Sequence, residues 1–253
     1  MKFPQNGFKN YWFDSSGTSS IIMNYLKIKD SFNILNYQNR IIRKTIKELS
    51  AKFEITNIPY EILLYQTGFL TIRKESNQTV RLVFPNTEIE DSVLDFYFIA
   101  NNIRLSEKVQ HNIDELAENI DQKNLINIIN IFNNILNECA PILSNIFQDE
   151  RAVRDIIYAA LPQEISLQKI KERETVQGFS DLEILTKKTH MIIEFKRTRS
   201  NRNADATLRE AIEQLKSKKY GIGAFTNLKI YRVAMVISSE AKMILSNFSK
   251  EIM

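Results

Sequence analysis

Near its C-terminal end the chain places an acid and a base one residue apart at the close of an apolar run. Met191-Ile192-Ile193 leads into Glu194-Phe195-Lys196, a second acid, Asp181, stands in the preceding apolar stretch, and Arg197, Arg199 and Arg202 follow. Residues i and i+2 of a strand share a face, so Glu194 and Lys196 point one way and Phe195 the other. If the strand carrying Asp181 pairs with this one, two carboxylates and one ammonium converge at a sheet end. Two carboxylates are hard oxygen ligands suited to Mg²⁺ or Mn²⁺. The chemistry that uses such a trio is metal-assisted phosphodiester hydrolysis, with Asp181 and Glu194 as metal ligands and Lys196 steadying the attacking water and the charge on phosphorus. The arginines of the loop are suited to bidentate phosphate binding. A solvated basic loop is the alternative reading of the same three residues.

Glu-x-Lys alone is a weak signal. The chain holds a second instance, Glu240-Ala241-Lys242, with no acid in a preceding strand. The first stands apart because an apolar strand precedes it, an acid lies one strand earlier, and a helix pattern follows.

The elements that must position these residues are legible as patterns. Residues 164–176, 179–186 and 190–196 read as strands, "ADATLREAIEQLKSKKYG" as a helix with Leu208, Ala211, Ile212 and Leu215 inward, "KIYRVAMVISS" as a fourth strand and "EAKMILSNF" as a short last helix. Helix, three strands, helix, strand is an α/β layer order. Upstream, residues 106–162 read as all helix, with Leu125, Ile128, Ile129, Phe132, Ile135 and Cys139 as a buried stripe and the asparagines between them as the wet face. His190 reads as a solvent-facing residue between two strands. Further upstream, "YQNRIIRKTIKELSAKF" reads as a helix, "IPYEILLYQTG" as a helix capped by glycine, and "FLTIRK" and "TVRLVF" as a hairpin. Helices followed by a hairpin suggest a winged-helix-like module, which binds duplex DNA in some settings and docks proteins in others.

Composition bounds the rest. With 43% hydrophobic and 25% charged residues, the 253-residue chain has the make-up of a folded globular protein, not of a disordered or fibrous one. The N-terminus lacks an apolar signal core, no run is long enough for a membrane helix, and one cysteine fits a reducing compartment, so a cytoplasmic location is expected. Two separated histidines and one cysteine argue against a zinc site. Residues 161–253 carry 17 Lys/Arg against 11 Asp/Glu, whereas residues 1–160 carry 17 against 19. A polyanion partner would meet the basic end.

The string "GFSDLEI…MIIEFKRTR…ATLREAIEQLKSKKYG" resembles the PD-(D/E)XK nuclease domain that follows an AAA-ATPase-like domain in many bacterial proteins. The resemblance implies a restriction-endonuclease-like αβββαβ core, α+β overall. It also implies metal-dependent cleavage of nucleic acid, DNA ahead of RNA, with Mg²⁺ or Mn²⁺. It assigns Glu174 as an assisting acid, Asp181 and Glu194 as metal ligands, Lys196 as the catalytic residue that positions and activates the water, Gln214 as an orienting side chain, and Tyr220 as a helix-signature residue toward nucleic acid. Phe179 stands where the family usually has arginine. Upstream, "FKNYWFDSSGTSSIIMNYL", "ILLYQTGFLTI" and "LVFPNTEIEDSVLDFYF" resemble the end of the ATPase-like region, and the sequence holds no G-x-x-x-x-G-K-[ST] phosphate loop. The expected division is residues 1–102 as the winged-helix-like end of that region and 103–253 as a helical lead-in plus nuclease domain, core about 148–253. A protein partner supplying an ATPase core is also expected. The rival expectation is an inactive remnant that binds nucleic acid or protein.

Overall fold

The structure is a computed structural model, and it describes residues 21–22, 24–25, 42–54, 57–74, 79–143, 146–162, 166–175, 178–218 and 227–252. Packing divides the described residues into two compact units, one up to Arg104 and one from Leu105 onward.

In the first unit β1 (Ile42–Thr45), β2 (Thr71–Lys74) and β3 (Thr79–Val83) form an antiparallel sheet in the order β1-β3-β2. Val80 and Leu82 are buried in β3, the alternation expected when one face covers a core. The hairpin expected from the sequence is present. The long helix expected from residue 37 is not: Ile42–Thr45 is a strand, and only α1 (Ile46–Leu49) is helical, started by a Thr45–Glu48 capping box. Pairing with β3 overrides the local helical pattern there. Helix α2 (Tyr60–Gln66) ends at Gly68, whose φ of +84° is open to glycine and strained for other residues. Helix α3 (Thr87–Ala100) is capped by Asn86, which accepts from Ile89 N–H at 2.9 Å.

The second unit opens with α4 (Glu107–Asp114), α5 (Leu116–Asp121) and α6 (Leu125–Cys139). The stripe on α6 is buried as expected, with Ile128, Phe132, Ile135, Leu136 and Cys139 fully inside. Burial, then the neighbouring Glu138 carboxylate, pushes the Cys139 thiol up to about 12, so it is an inert packing group. Asn133 corrects the wet-face expectation: it is buried and clamps one backbone position, donating to Ile244 O at 3.2 Å and accepting from Ile244 N–H at 2.8 Å.

Helix α7 (Glu150–Ala160) precedes a five-stranded sheet ordered β4 (Gln168–Thr175), β5 (Gly178–Leu185), β6 (Thr189–Thr198), β7 (Lys229–Ser238), β8 (Met243–Ile252). The β6–β7 pair is parallel and the others antiparallel. Parallel neighbours need a crossover, and α8 (Ala204–Lys218) lies in it. Ala211 and Leu215 of α8 pack with Ile192 and Ala234, joined by Leu208, Ile212 and Ile230, the inward set expected. The segment expected as a last helix is instead β8. Lys242, at φ +55°, breaks any helical start, and Ile244 is buried while Leu245 is exposed, a strand alternation. Lys169 of β4 donates to the last-turn carbonyls of α7, Tyr158 O at 2.7 Å and Leu161 O at 2.6 Å, which fixes the helix to the sheet. The result is a mixed α/β architecture of the α+β kind. No helix among the described residues is long and apolar enough to cross a membrane.

Candidate active site

Strand β6 is the centre of the sheet, and apolar neighbours on both faces explain its run of buried residues. Its antiparallel ladder with β5 runs from Leu185↔His190 to Leu182↔Ile193. One further step in that register sets Asp181 opposite Glu194. There the ladder opens, and the Asp181 carboxylate accepts the backbone N–H of Phe195 at 2.8 Å. The acid of one strand is thereby fixed to the residue between the acid and base of the next.

Glu194 is 1% exposed, and neither of its buried carboxylate oxygens has a hydrogen-bond partner. Lys196 Nζ lies 3.3 Å from Glu194 Oε1, an ion-pair contact. Burial, then repulsion from the Asp181 carboxylate, pushes the Glu194 carboxyl up to about 8, against the pull of Lys196. Asp181 is also raised by burial, which outweighs the Phe195 N–H and the positive charges of Arg154 and Lys196. For Lys196, burial favours the neutral amine, but Glu194, Glu150 and Asp181 together outweigh it and hold the ammonium above its ordinary range.

Glu150 is the residue the sequence reading missed. It opens α7 directly after its N-cap, Asp149, and its Oε2 accepts the Arg197 N–H at 3.0 Å. Its charge acts on Asp181, Glu194 and Lys196 alike. The signal was an acid at the first helical position, indistinguishable in sequence from an ordinary acid complementing the helix dipole. Arg154, one turn further along α7, is buried against Asp155, with Nε to Oδ1 at 2.8 Å, and its charge also reaches Asp181.

The remaining candidates are more dispersed. Glu174 lies in β4 opposite Phe179 by register, and its side chain lies outside the described residues, as does Tyr220 altogether. Gln214 is half-buried in α8, and among the described residues its side-chain amide makes no hydrogen bond. Arg197 donates from Nη1 to Ser239 Oγ at 3.1 Å and is half-buried, whereas Arg199 and Arg202 are exposed. The loop bearing them is anchored, with Asn201 N–H donating to Glu240 Oε2 at 2.9 Å and Ser238 Oγ to Asn201 Oδ1 at 2.5 Å. The second Glu-x-Lys is thus a turn between β7 and β8 that holds this loop, not the start of a helix. His190 is fully buried rather than solvent-facing, 2.7 Å from Glu183, to which Ser180 Oγ also donates at 2.7 Å.

Among the described residues no three acid, histidine or cysteine side chains form a ready-made metal cage. A Mg²⁺-type ion does not need one, since it keeps several waters and takes one or two carboxylates plus substrate oxygens. Glu194 fits that role: a buried carboxylate with one oxygen ion-paired to Lys196 and the other without a hydrogen-bond partner, beside a second acid, is the donor set a divalent cation would neutralise.

Comparison with known proteins agrees with this geometry. A model of the PD-(D/E)XK nuclease superfamily matches residues 148–247, from the approach to α7 into β8 and including Asp181, Glu194 and Lys196. The match suggests a nuclease, hence a hydrolase with a nucleic-acid substrate, and nucleases of this superfamily generally use divalent metal ions. No curated protein and no solved structure matches the chain.

Proposed function

We propose that the chain is a metal-dependent nuclease that hydrolyses phosphodiester bonds, with DNA as its substrate. The observation that carries this reading is Glu194, a buried carboxylate with no hydrogen bond in good geometry, ion-paired to Lys196 on one oxygen and set beside the acid of the neighbouring strand. Folding places an acid there that costs stability unless protonated or matched by positive charge.

Asp181 and Glu194 would hold the ion, Mg²⁺ or Mn²⁺, with Glu174 as an assisting acid. When bound, a divalent ion polarises the phosphoryl group and makes hydroxide accessible near neutral pH. Lys196, kept protonated by three acids, places a positive charge beside the reacting phosphate and a donor toward the attacking water. Arg199 and Arg202 offer guanidinium groups to flanking phosphates from an anchored loop. Gln214 orients the site from α8 and Tyr220 contacts nucleic acid. The three-stranded sheet with its adjoining helices acts as a winged-helix-like module, similar to the end of an AAA-ATPase-like region.

The test is incubation of the purified chain with plasmid, linear duplex and single-stranded DNA, in Mg²⁺ or Mn²⁺ and in EDTA. Cleavage in metal and none in EDTA is expected. Intact substrates under every metal overturn the reading and leave a nuclease-like fold without the activity.

A further inference from the structure

The three-stranded sheet carries a line of like charge. Strand β1 pairs with β3 so that Arg43 stands opposite Arg81, and β2 pairs with β3 so that Arg73 stands opposite the same Arg81. Residues directly opposite across an antiparallel pair share a face. The three arginine positions therefore form one row, Arg43–Arg81–Arg73, across the full width of the sheet. With strands about 4.8 Å apart, the row spans about 10 Å.

Arg73 directly opposite Arg81 opposes folding, because like charges directly opposite on a sheet destabilise it. The neighbouring row shows how the fold handles a cation it must neutralise: Lys44 Nζ lies 2.6 Å from Glu61 and 3.9 Å from Glu48. Arg73 and Arg81 are treated differently. Arg73 is exposed and Arg81 half-buried, and Arg81 Nε is shielded from solvent with no hydrogen-bond partner. Among the described residues neither the Arg73 nor the Arg81 side chain has an ion pair or hydrogen bond.

We infer that this row binds the phosphate backbone of nucleic acid. Guanidinium is the side chain suited to bidentate phosphate recognition. A polyanion with regularly repeated charge can meet cations carried at neighbouring positions of one row, and backbone contacts of this kind require no base reading. The inference rests on nucleic acid being the substrate, and adds a second phosphate-binding surface carried by the first unit.

The experiment is fluorescence anisotropy with a labelled DNA duplex in EDTA, over NaCl from about 50 to 300 mM, a range in which phosphate contacts dominate the salt response. EDTA blocks metal-dependent cleavage, so an inactive nuclease site does not affect the readout. The triple variant Arg43→Gln/Arg73→Gln/Arg81→Gln is expected to flatten the log K against log salt slope by about 0.9 per lost phosphate, up to about 2.7. Arg73→Gln alone, at the exposed edge, should lose about 0.9. The triple Arg→Lys variant should keep most of the slope. Melting temperature of the triple Gln variant should be unchanged or higher, since repulsion is removed. A wild-type slope in the triple Gln variant, slope loss accompanied by a lower melting temperature, or displacement of the duplex by polyglutamate at equal charge concentration overturns the inference. So does a wild-type chain that does not bind duplex at about 50 mM salt.

Discussion

The Asp181 carboxylate accepts the backbone N–H of Phe195, the residue between Glu194 and Lys196. That single bond replaces the next ladder contact between β5 and β6 and ties three candidate site residues to one backbone amide. Asp181→Asn retains an acceptor for that N–H but removes a charged oxygen donor. It is therefore expected to fold normally and to lose cleavage, with circular dichroism and a plasmid assay as the two readouts. Lost folding would assign Asp181 to strand-end structure alone.

Lys196→Ala removes the cation beside Glu194. Loss of one transition-state charge stabiliser typically costs about 100- to 1000-fold in rate, and that range is expected for cleavage. Glu240→Gln, from the second Glu-x-Lys, keeps an acceptor for Asn201 N–H and should cut at the wild-type rate. Equal rates for Lys196→Ala and wild type would remove the lysine from the chemistry.

The raised Glu194 carboxyl has a consequence for stability. Its ordinary value is 4.5 and its folded value about 8, so between these pH values the folded chain holds a proton that the unfolded chain has released. Metal-free stability should therefore fall as pH rises from about 4.5 to about 8. Added Mn²⁺ should restore more of it at pH 8 than at pH 5, because metal and proton compete for the same carboxylate. Thermal melts of wild type and Glu194→Gln in EDTA check this: the variant should lose much of the pH dependence.

Glu150 fastens the end of β6 to α7 through the Arg197 N–H. Glu150→Gln keeps an acceptor and should retain most cleavage, whereas Glu150→Ala frees the strand end. Small displacements of a reacting group cost up to about 100-fold, and a loss of that order in kcat is expected for the alanine variant. Equal damage by both variants would show that the charge, not the anchor, matters.

Asn133 satisfies both backbone groups of Ile244 from inside the core. Asn133→Leu should lower stability by about 1–3 kcal/mol, the cost of leaving buried polar groups unpaired, with urea denaturation as the measurement. No change would mean that β8 is held by its ladder with β7 alone.

Much of the second unit was legible because its signals are periodic and local. The apolar run of β6, the α8 stripe and the two-residue spacing of Glu194 and Lys196 survive in sequence without tertiary context. The failures share a cause in long-range pairing. Ile42–Thr45 and Met243–Ile252 became strands because β3 and β7 were there to receive them. Asn133 reads as wet in sequence because its partner lies 111 positions away. His190 reads as exposed in sequence because Glu183, which accommodates a buried imidazole, reads locally as one more surface acid. Glu150 was passed over for a similar reason: an acid at a helix start reports its partner only once the strand end has been placed beside it.

On the proposed reading, Asp181 and Glu194 share one divalent ion. Anomalous scattering from crystals equilibrated with Mn²⁺ measures this directly. A single peak within about 2.1–2.4 Å of a carboxylate oxygen from each residue, lost in Glu194→Gln, is the expected result. Carboxylate oxygens more than about 7 Å apart with no peak between them, at Mn²⁺ concentrations that support cleavage, would contradict it.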